Sequence, residues 1–215
     1  EGFGYAFAAI VLNDTNARDS FNDNGTQRSG GFNIETNPAT VLPATPGDGL
    51  GCWCSESSVW SILWDINDDA SDANDTVALG FGPIWNVLTG PQRTTPALTT
   101  IFSFVTALKQ ANAGTSAQID TLVAAQNITS ASIDAFATTE THSPLTPSSN
   151  ALPIYTTINL GAPVVVRNVD DEGNYNQVGN HRFLRFVAAG SGTRTVTLTS
   201  SNPNNADPDF QVFRA

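Results

Sequence analysis

Residues 95–112 read TPALTTIFSFVTALKQAN and contain the clearest helical pattern in the chain. Their apolar residues recur three and four positions apart, which places them on one face of an α-helix. Thr95 and Pro96 suit the N-cap and the first helical position. The pattern therefore predicts a helix that begins near residue 95 and buries one side. The residues of that side are Leu98, Ile101, Phe102, Val105 and Leu108.

Further helices are predicted on both sides of this segment. Residues 55–66 have Ser55 as a good N-cap and then apolar residues at helical spacing. A short helix is expected at 83–88, another helix at 115–126 and one or two helical turns at 130–136. Together these segments predict a helical lobe with one hydrophobic core.

The first twelve residues, EGFGYAFAAIVL, are apolar on nearly every side after Glu1. A helix of this kind is usually buried all round. Residues 15–51 are rich in Asn, Asp, Gly and Pro and have no lasting periodicity, so long surface loops are expected there. A short strand is predicted near residues 32–34.

Beyond residue 136 the composition changes. Residues 137–153, ATTETHSPLTPSSNALP, predict a poorly ordered linker. Residues 154–215 then show strand-like alternation, which predicts part of a β-sandwich, because about four strands are too few for a complete one. The expected fold class is α+β, with a helical lobe at 1–136. The strand-like segments are 162–169, 182–189, 194–200 and 209–215.

The charge of the chain excludes some partners. The sequence has 20 acidic and 9 basic residues in 215 and a formal net charge of -11. This charge argues against nucleic acids and anionic membrane surfaces as partners, since both require clustered Lys and Arg. No apolar stretch is long enough for a transmembrane helix. The low lysine content and the many Asn, Thr and Ser residues are typical of secreted bacterial proteins.

The chain lacks methionine, and its strand-rich part is short of strands. We therefore expect a piece of a longer protein, in which any export signal lies upstream of residue 1.

Four segments carry a resemblance to a known family: EGFGYAFAAIVL (1–12), SESSVWSILWDI (55–66), VALGFGPIWNVLTG (77–90) and TTPALTTIFSFVTALKQAN (94–112). The first of them resembles the third-ligand helix of gluzincin metallopeptidases. Together, up to about residue 127, they resemble the C-terminal lobe of secreted bacterial zinc-dependent peptidases. Through HRFLRFVAAGSGTRTVTLTSSNPNNADPDFQVF (181–213), residues 155–215 resemble the first part of a bacterial pre-peptidase C-terminal domain.

The resemblance implies that Glu1 binds zinc, together with two histidines of an upstream HExxH segment. Such a site activates a water molecule for hydrolysis of peptide or protein substrates. This chain contains no HExxH motif, and its histidines, His142 and His181, lie in the predicted linker and β-module. The chain alone is therefore expected to be inactive, with no catalytic residue of its own. The alternative is a non-catalytic secreted or cell-surface binding protein with a β-sandwich adhesion module.

Two acidic segments suggest calcium. Asp65, Asn67 and Asp69 occupy positions 1, 3 and 5 of an EF-hand-like count, and their oxygens suit calcium. The later positions do not match, so an EF-hand is excluded and a solvated acidic loop is the simpler interpretation. Asp207 and Asp209 form a second pair, and the β-module resemblance implies that such positions can bind calcium.

Cys52 and Cys54 are the two cysteines of the chain. A pair this close is weak as a zinc site and rarely has disulfide geometry. Reduced cysteines and a strained local disulfide both remain open.

Overall fold

The computed structural model of the chain describes residues 2–35, 51–69, 75–168, 180–201 and 209–213. Within these residues the fold is mixed α+β, as predicted, with a helical lobe and two small sheets. The helices are α1 (Gly2–Leu12), α2 (Glu56–Asn67), α3 (Phe81–Thr89), α4 (Pro91–Thr94), α5 (Ile101–Ala111) and α6 (Ser116–Ala125), with single 3₁₀ turns at Ala113–Thr115 and Ser148–Asn150. The strands are β1 (Asn16–Asp23), β2 (Thr26–Asn33), β3 (Tyr155–Thr157) and β4 (Phe183–Arg185).

Helix α5 lies at the centre of the lobe and contacts α3, α4 and α6. Phe102, Val105 and Leu108 are almost fully buried in the main core, as their spacing predicted. The helix begins at Ile101, five positions after Pro96, the predicted first helical residue. The Thr100 amide donates to the Ser103 hydroxyl (3.0 Å), which marks the observed helix start. The Leu98 amide donates to the Tyr155 hydroxyl. Residues before Thr100 therefore stay outside the helix.

Helices α1 and α2 pack directly against each other. Gly2 makes this possible, because a Cβ at that position would lie 2.4 Å from the Glu56 carbonyl oxygen. Trp60 and Trp64 extend from α2 toward a second core cluster. This cluster is built around four buried residues, Ala9, Ala17, Ile34 and Trp64.

Strands β1 and β2 form an antiparallel hairpin, where loops had been predicted. The two-residue turn consists of Asn24 and Gly25, both with positive φ (50° and 85°). Asn-Gly is the preferred sequence for such a turn. Phe32 anchors the hairpin by stacking on Trp60 with ring centroids 4.4 Å apart. The prediction of long loops is therefore wrong for residues 16–31, whereas the short strand predicted near residues 32–34 overlaps the end of β2. Residues 36–50 lie outside the described structure.

The segment 137–153 is packed on the lobe, which corrects the expectation of a poorly ordered linker. Ala137 and Ala151 are buried, and Leu152 packs against the main core. Residues 130–136, predicted as helical, form turns instead. Their backbone is organised by Asp134, which accepts the amides of Phe136 and Thr138. The division of the chain at residues 136 and 153 stays a prediction.

The described residues after 154 contain small sheet elements and no sandwich. The segment 182–189 contains strand β4, which pairs in parallel with β3. The described parts of the other three strand-like segments form no strand, and Val165 is fully exposed. In segment 162–169 the structure shows an isolated bridge between Ala162 and Asn159, and one bridge is too short to make a strand. Tyr155 joins this region to the lobe through the Leu98 amide (3.0 Å) and the Phe136 ring (5.4 Å between centroids).

Candidate functional site

The beginning of α1 is the place where the predicted zinc ligand would act. Glu1 itself lies outside the described residues. Gly2, the first residue of α1, is buried against the start of α2, near the Glu56 carbonyl and Val59. The position of this first turn is thus determined by contact between the backbones of the two helices.

The outer face of α1 is apolar and exposed, which corrects the expectation of a helix buried all round. The buried residues of α1 are Gly2, Ala6 and Ala9, all on the side toward α2 and the hairpin. Phe3 and Phe7 are 40% and 36% exposed, and Val11 is 62% exposed. Residues 2–12 contain no charged side chain. A helix that is apolar all round is ordinarily covered on all sides, so this face is an unusual surface.

The exposed face continues onto α3 as a row of four aromatic rings. Phe3 stacks on Phe7 (5.9 Å between ring centroids), and Phe7 contacts Phe81 (5.8 Å). Phe81 in turn contacts Trp85 (5.8 Å), which is half exposed. We call these four residues the aromatic row. It is a continuous apolar surface beside the first turn of α1.

The first predicted calcium segment does not form a loop. Asp65 and Asn67 both belong to α2, where residues two apart point about 200° away from each other. Asp65 is buried, whereas Asp69 lies beyond the helix end and is exposed. The EF-hand-like spacing therefore does not bring the side chains of Asp65, Asn67 and Asp69 together. Calcium binding by these residues stays a prediction.

The second predicted calcium pair is only partly described. Asp209 is exposed, and Asp207 lies outside the described residues. More generally, the described ranges contain no group of three or more His, Cys, Asp or Glu residues placed to hold a metal ion. These described residues therefore contain no complete zinc site.

A carboxylate that sequence reasoning missed lies at the end of α2. Asp68 has a buried Oδ1 with no hydrogen-bond partner among the described residues. Burial raises the pKa of Asp68 to about 7, and repulsion from Glu35, Asp75 and Asp69 adds to the effect. Glu35 comes from the end of the hairpin, where it accepts a hydrogen bond from the Trp64 indole (2.6 Å). The acidic run around Asp68 was visible in the sequence, but the approach of Glu35 was not.

Replacing Asp68 with asparagine should stabilise the protein above pH 7. The raised pKa means that folding favours the protonated carboxyl, so this group's stabilising effect is complete below its unfolded pKa near 4 and is lost as pH rises through 7. After allowance for partial exposure, the gain from Asp68→Asn at pH 8 should be about 1–2 kcal/mol. Urea unfolding at pH 5 and pH 8 measures it. Asp69→Asn, at an exposed neighbour, is the matched control, and equal pH dependence in wild type and Asp68→Asn would contradict the assignment.

A second missed group is Glu140, whose side chain is fully buried (0% exposed). Its carboxylate accepts the backbone amides of Thr129 (3.0 Å), Thr141 (2.8 Å) and His142 (2.7 Å). The Thr129 hydroxyl (3.1 Å) and His142 Nδ1 (3.0 Å) complete the arrangement. The Thr129 hydroxyl and the Glu140 carboxylate both contact Nδ1 of the His142 ring. A relay from nucleophile to histidine to carboxylate uses both ring nitrogens, so Thr129, His142 and Glu140 do not form one. Glu140 instead organises the backbone of this segment.

Cys52 and Cys54 form a disulfide with a Cα–Cα distance of 5.3 Å. The structure thus selects local pairing over reduced cysteines. Between them, Trp53 donates its indole N–H to the His142 carbonyl (3.0 Å). The Gly51 carbonyl accepts a hydrogen bond from the Asn127 side chain (3.1 Å). The disulfide loop therefore connects the start of α2 to the segment that Glu140 organises.

Comparisons with known proteins give no family or relative. No protein-family model, no curated protein and no solved structure matches this chain. Each helix in the described part is too short or too polar to cross a lipid bilayer.

Proposed function

We propose that residues 1–136 are the helical C-terminal lobe of a secreted bacterial zinc-dependent metallopeptidase. In this proposal, residues 154–215 are the first part of a pre-peptidase C-terminal domain. The observation that carries the proposal is the outer face of α1, which is apolar, exposed and adjacent to Glu1 in the sequence. The sequence resemblance supplies the identity of the family.

The packing of α1 supports an additional segment on its outer face. One side of the helix is occupied by α2, with Gly2 against the Glu56 carbonyl. The opposite side offers Phe3, Phe7 and Val11 to solvent. Burying apolar surface of this kind contributes about 25 cal/mol per Å² to association. We propose that the partner is the missing N-terminal catalytic segment that carries HExxH.

This arrangement would place Glu1 beside the two histidines of that segment. The lobe then contributes one carboxylate ligand and one wall of the substrate cleft, and its peptide or protein substrate would pass along that wall. When bound, zinc supplies a polarised water for attack on the peptide carbonyl. The chain alone lacks the other ligands, so it should bind zinc weakly and cleave nothing.

The test is to express the longer parent protein and this chain side by side and to assay casein hydrolysis. The parent should be active, lose activity with a chelator and recover it with zinc, while this chain should be inactive throughout. The upstream sequence of the parent should contain HExxH. Activity that survives the chelator, or a folded parent with no HExxH and no activity, would exclude the proposal and favour the binding-protein alternative.

A further inference from the structure

The disulfide loop at residues 51–54 contributes little to stability by covalent closure alone. It closes a loop of three residues, Cys52 to Cys54. A disulfide stabilises a fold mainly by restricting the unfolded chain, and the restriction grows with loop length. The bond therefore acts chiefly on the local geometry of the loop.

That geometry holds two parts of the lobe together. On one side, the Cys52 amide donates to the Ser58 hydroxyl (3.1 Å), and the Ser55 amide donates to the Cys52 carbonyl (3.1 Å), so the loop is joined to the first turns of α2. On the other side, Trp53 binds the His142 carbonyl. The Trp53 ring also packs near Phe102 of the main core, with centroids 6.1 Å apart.

The two cysteines differ in exposure. Cys52 is 5% exposed, whereas Cys54 is only half-buried. A thiolate from solvent therefore reaches Cys54 more easily than Cys52, and accessibility is one of the factors that govern thiol–disulfide exchange.

We propose that the Cys52–Cys54 disulfide is a reversible redox site, whose reduction by a small dithiol releases Trp53 from His142 and loosens the start of α2. A thiolate of the dithiol attacks Cys54 Sγ, the Sγ–Sγ bond breaks, and Cys52 Sγ leaves as a thiolate that takes a proton from water. The second thiolate of the reagent then attacks the reagent's own sulfur in the mixed disulfide, the bond to Cys54 Sγ breaks, and Cys54 leaves as a thiolate that takes a proton from water. Two electrons pass to the protein, and the reagent leaves as its own disulfide.

The effect of reduction would extend to α1, because the carbonyl of Glu56, the first residue of α2, lies against Gly2. The first turn of α1 would lose a fixed support, while the central helix α5 would keep its own capping interaction at Thr100. This inference does not depend on the proposed peptidase function. It requires only the contacts of the loop.

The experiment uses the folded chain and dithiothreitol as the probe. Under native conditions two thiols per chain should become reactive, and hydrogen exchange should accelerate in peptides covering 51–58 and 140–143 but not in 101–111. Tryptophan emission should shift to longer wavelength, and the shift should be absent in Trp53→Phe. The folding equilibrium constant should fall by only roughly tenfold. Reoxidation should restore the original signals.

The Cys52→Ser, Cys54→Ser double variant is the control and should show the reduced-state spectrum with or without dithiothreitol. If that variant does not fold, the wild-type measurement remains decisive. Thiols that stay unreactive until urea unfolds the chain would overturn the proposal. So would thiol release without any change in Trp53 emission or in exchange at 51–58, and so would accelerated exchange throughout the chain.

Discussion

Replacing Glu140 with alanine should lower the free energy of unfolding by about 3–5 kcal/mol, because three backbone amides lose a buried acceptor at once. These amides belong to Thr129, Thr141 and His142, and all lie within 3.0 Å of the carboxylate. The loss should also free the His142 carbonyl from its place under Trp53. Urea unfolding followed by circular dichroism at neutral pH measures the change.

Asp134→Ala is the matched control for Glu140→Ala. Asp134 also binds two backbone amides of the same segment, those of Phe136 and Thr138, but it is less buried than Glu140. Asp134→Ala should lower the free energy of unfolding by about 1 kcal/mol, since water can replace the carboxylate. If the two variants were equally stable, burial would not be the reason for the larger contribution of Glu140 to the free energy of unfolding.

Gly2→Ala should destabilise the protein by about 2–3 kcal/mol, because an added Cβ meets backbone that cannot move freely. The new carbon would lie 2.4 Å from the Glu56 carbonyl oxygen and 3.0 Å from Val59 Cβ, so α1 must move away from α2. Under the proposed peptidase function, this shift would also move the zinc ligand Glu1 in the parent protein. Thermal and urea unfolding of the chain, and zinc content of the purified parent, are the measurements.

Gly4→Ala separates this steric effect from the general effect of glycine in a helix. A Cβ at Gly4 meets nothing within 4 Å. Alanine there should stabilise α1 by about 0.5–1 kcal/mol, since it restricts the unfolded chain and favours the helix. Destabilisation by both variants to the same extent would show that close packing at Gly2 is not responsible.

Sequence patterns predicted the helices of the lobe well, because helical periodicity and burial agreed there. Helix α2 begins at Glu56, directly after the predicted N-cap Ser55. The hairpin was missed for the opposite reason. Its strands are largely polar and exposed, so they lack the alternation of apolar and polar residues by which strands are recognised. The sequence of the turn, Asn24 and Gly25, was nevertheless a recognisable hairpin signal.

The sites were harder to predict than the helices. The importance of Glu140 depends on the Thr129 amide, eleven positions away, which no local pattern identifies. The raised pKa of Asp68 comes first from burial and then from repulsion by Glu35, which the hairpin brings near α2. Composition suggested that residues 137–153 could not order themselves. Their order comes from hydrogen bonds to Glu140 and from a few apolar contacts, such as Ala151, and not from a core of their own.

The aromatic row also governs how this protein behaves at high concentration. Phe3, Phe7 and Trp85 are exposed in the described structure. Association with a second molecule would bury them, whereas a net charge of -11 opposes that association. Salt screens the repulsion without weakening the attraction between rings. Sedimentation velocity should therefore show self-association that grows with ionic strength, and Phe7→Ser should keep the chain monomeric at every salt concentration.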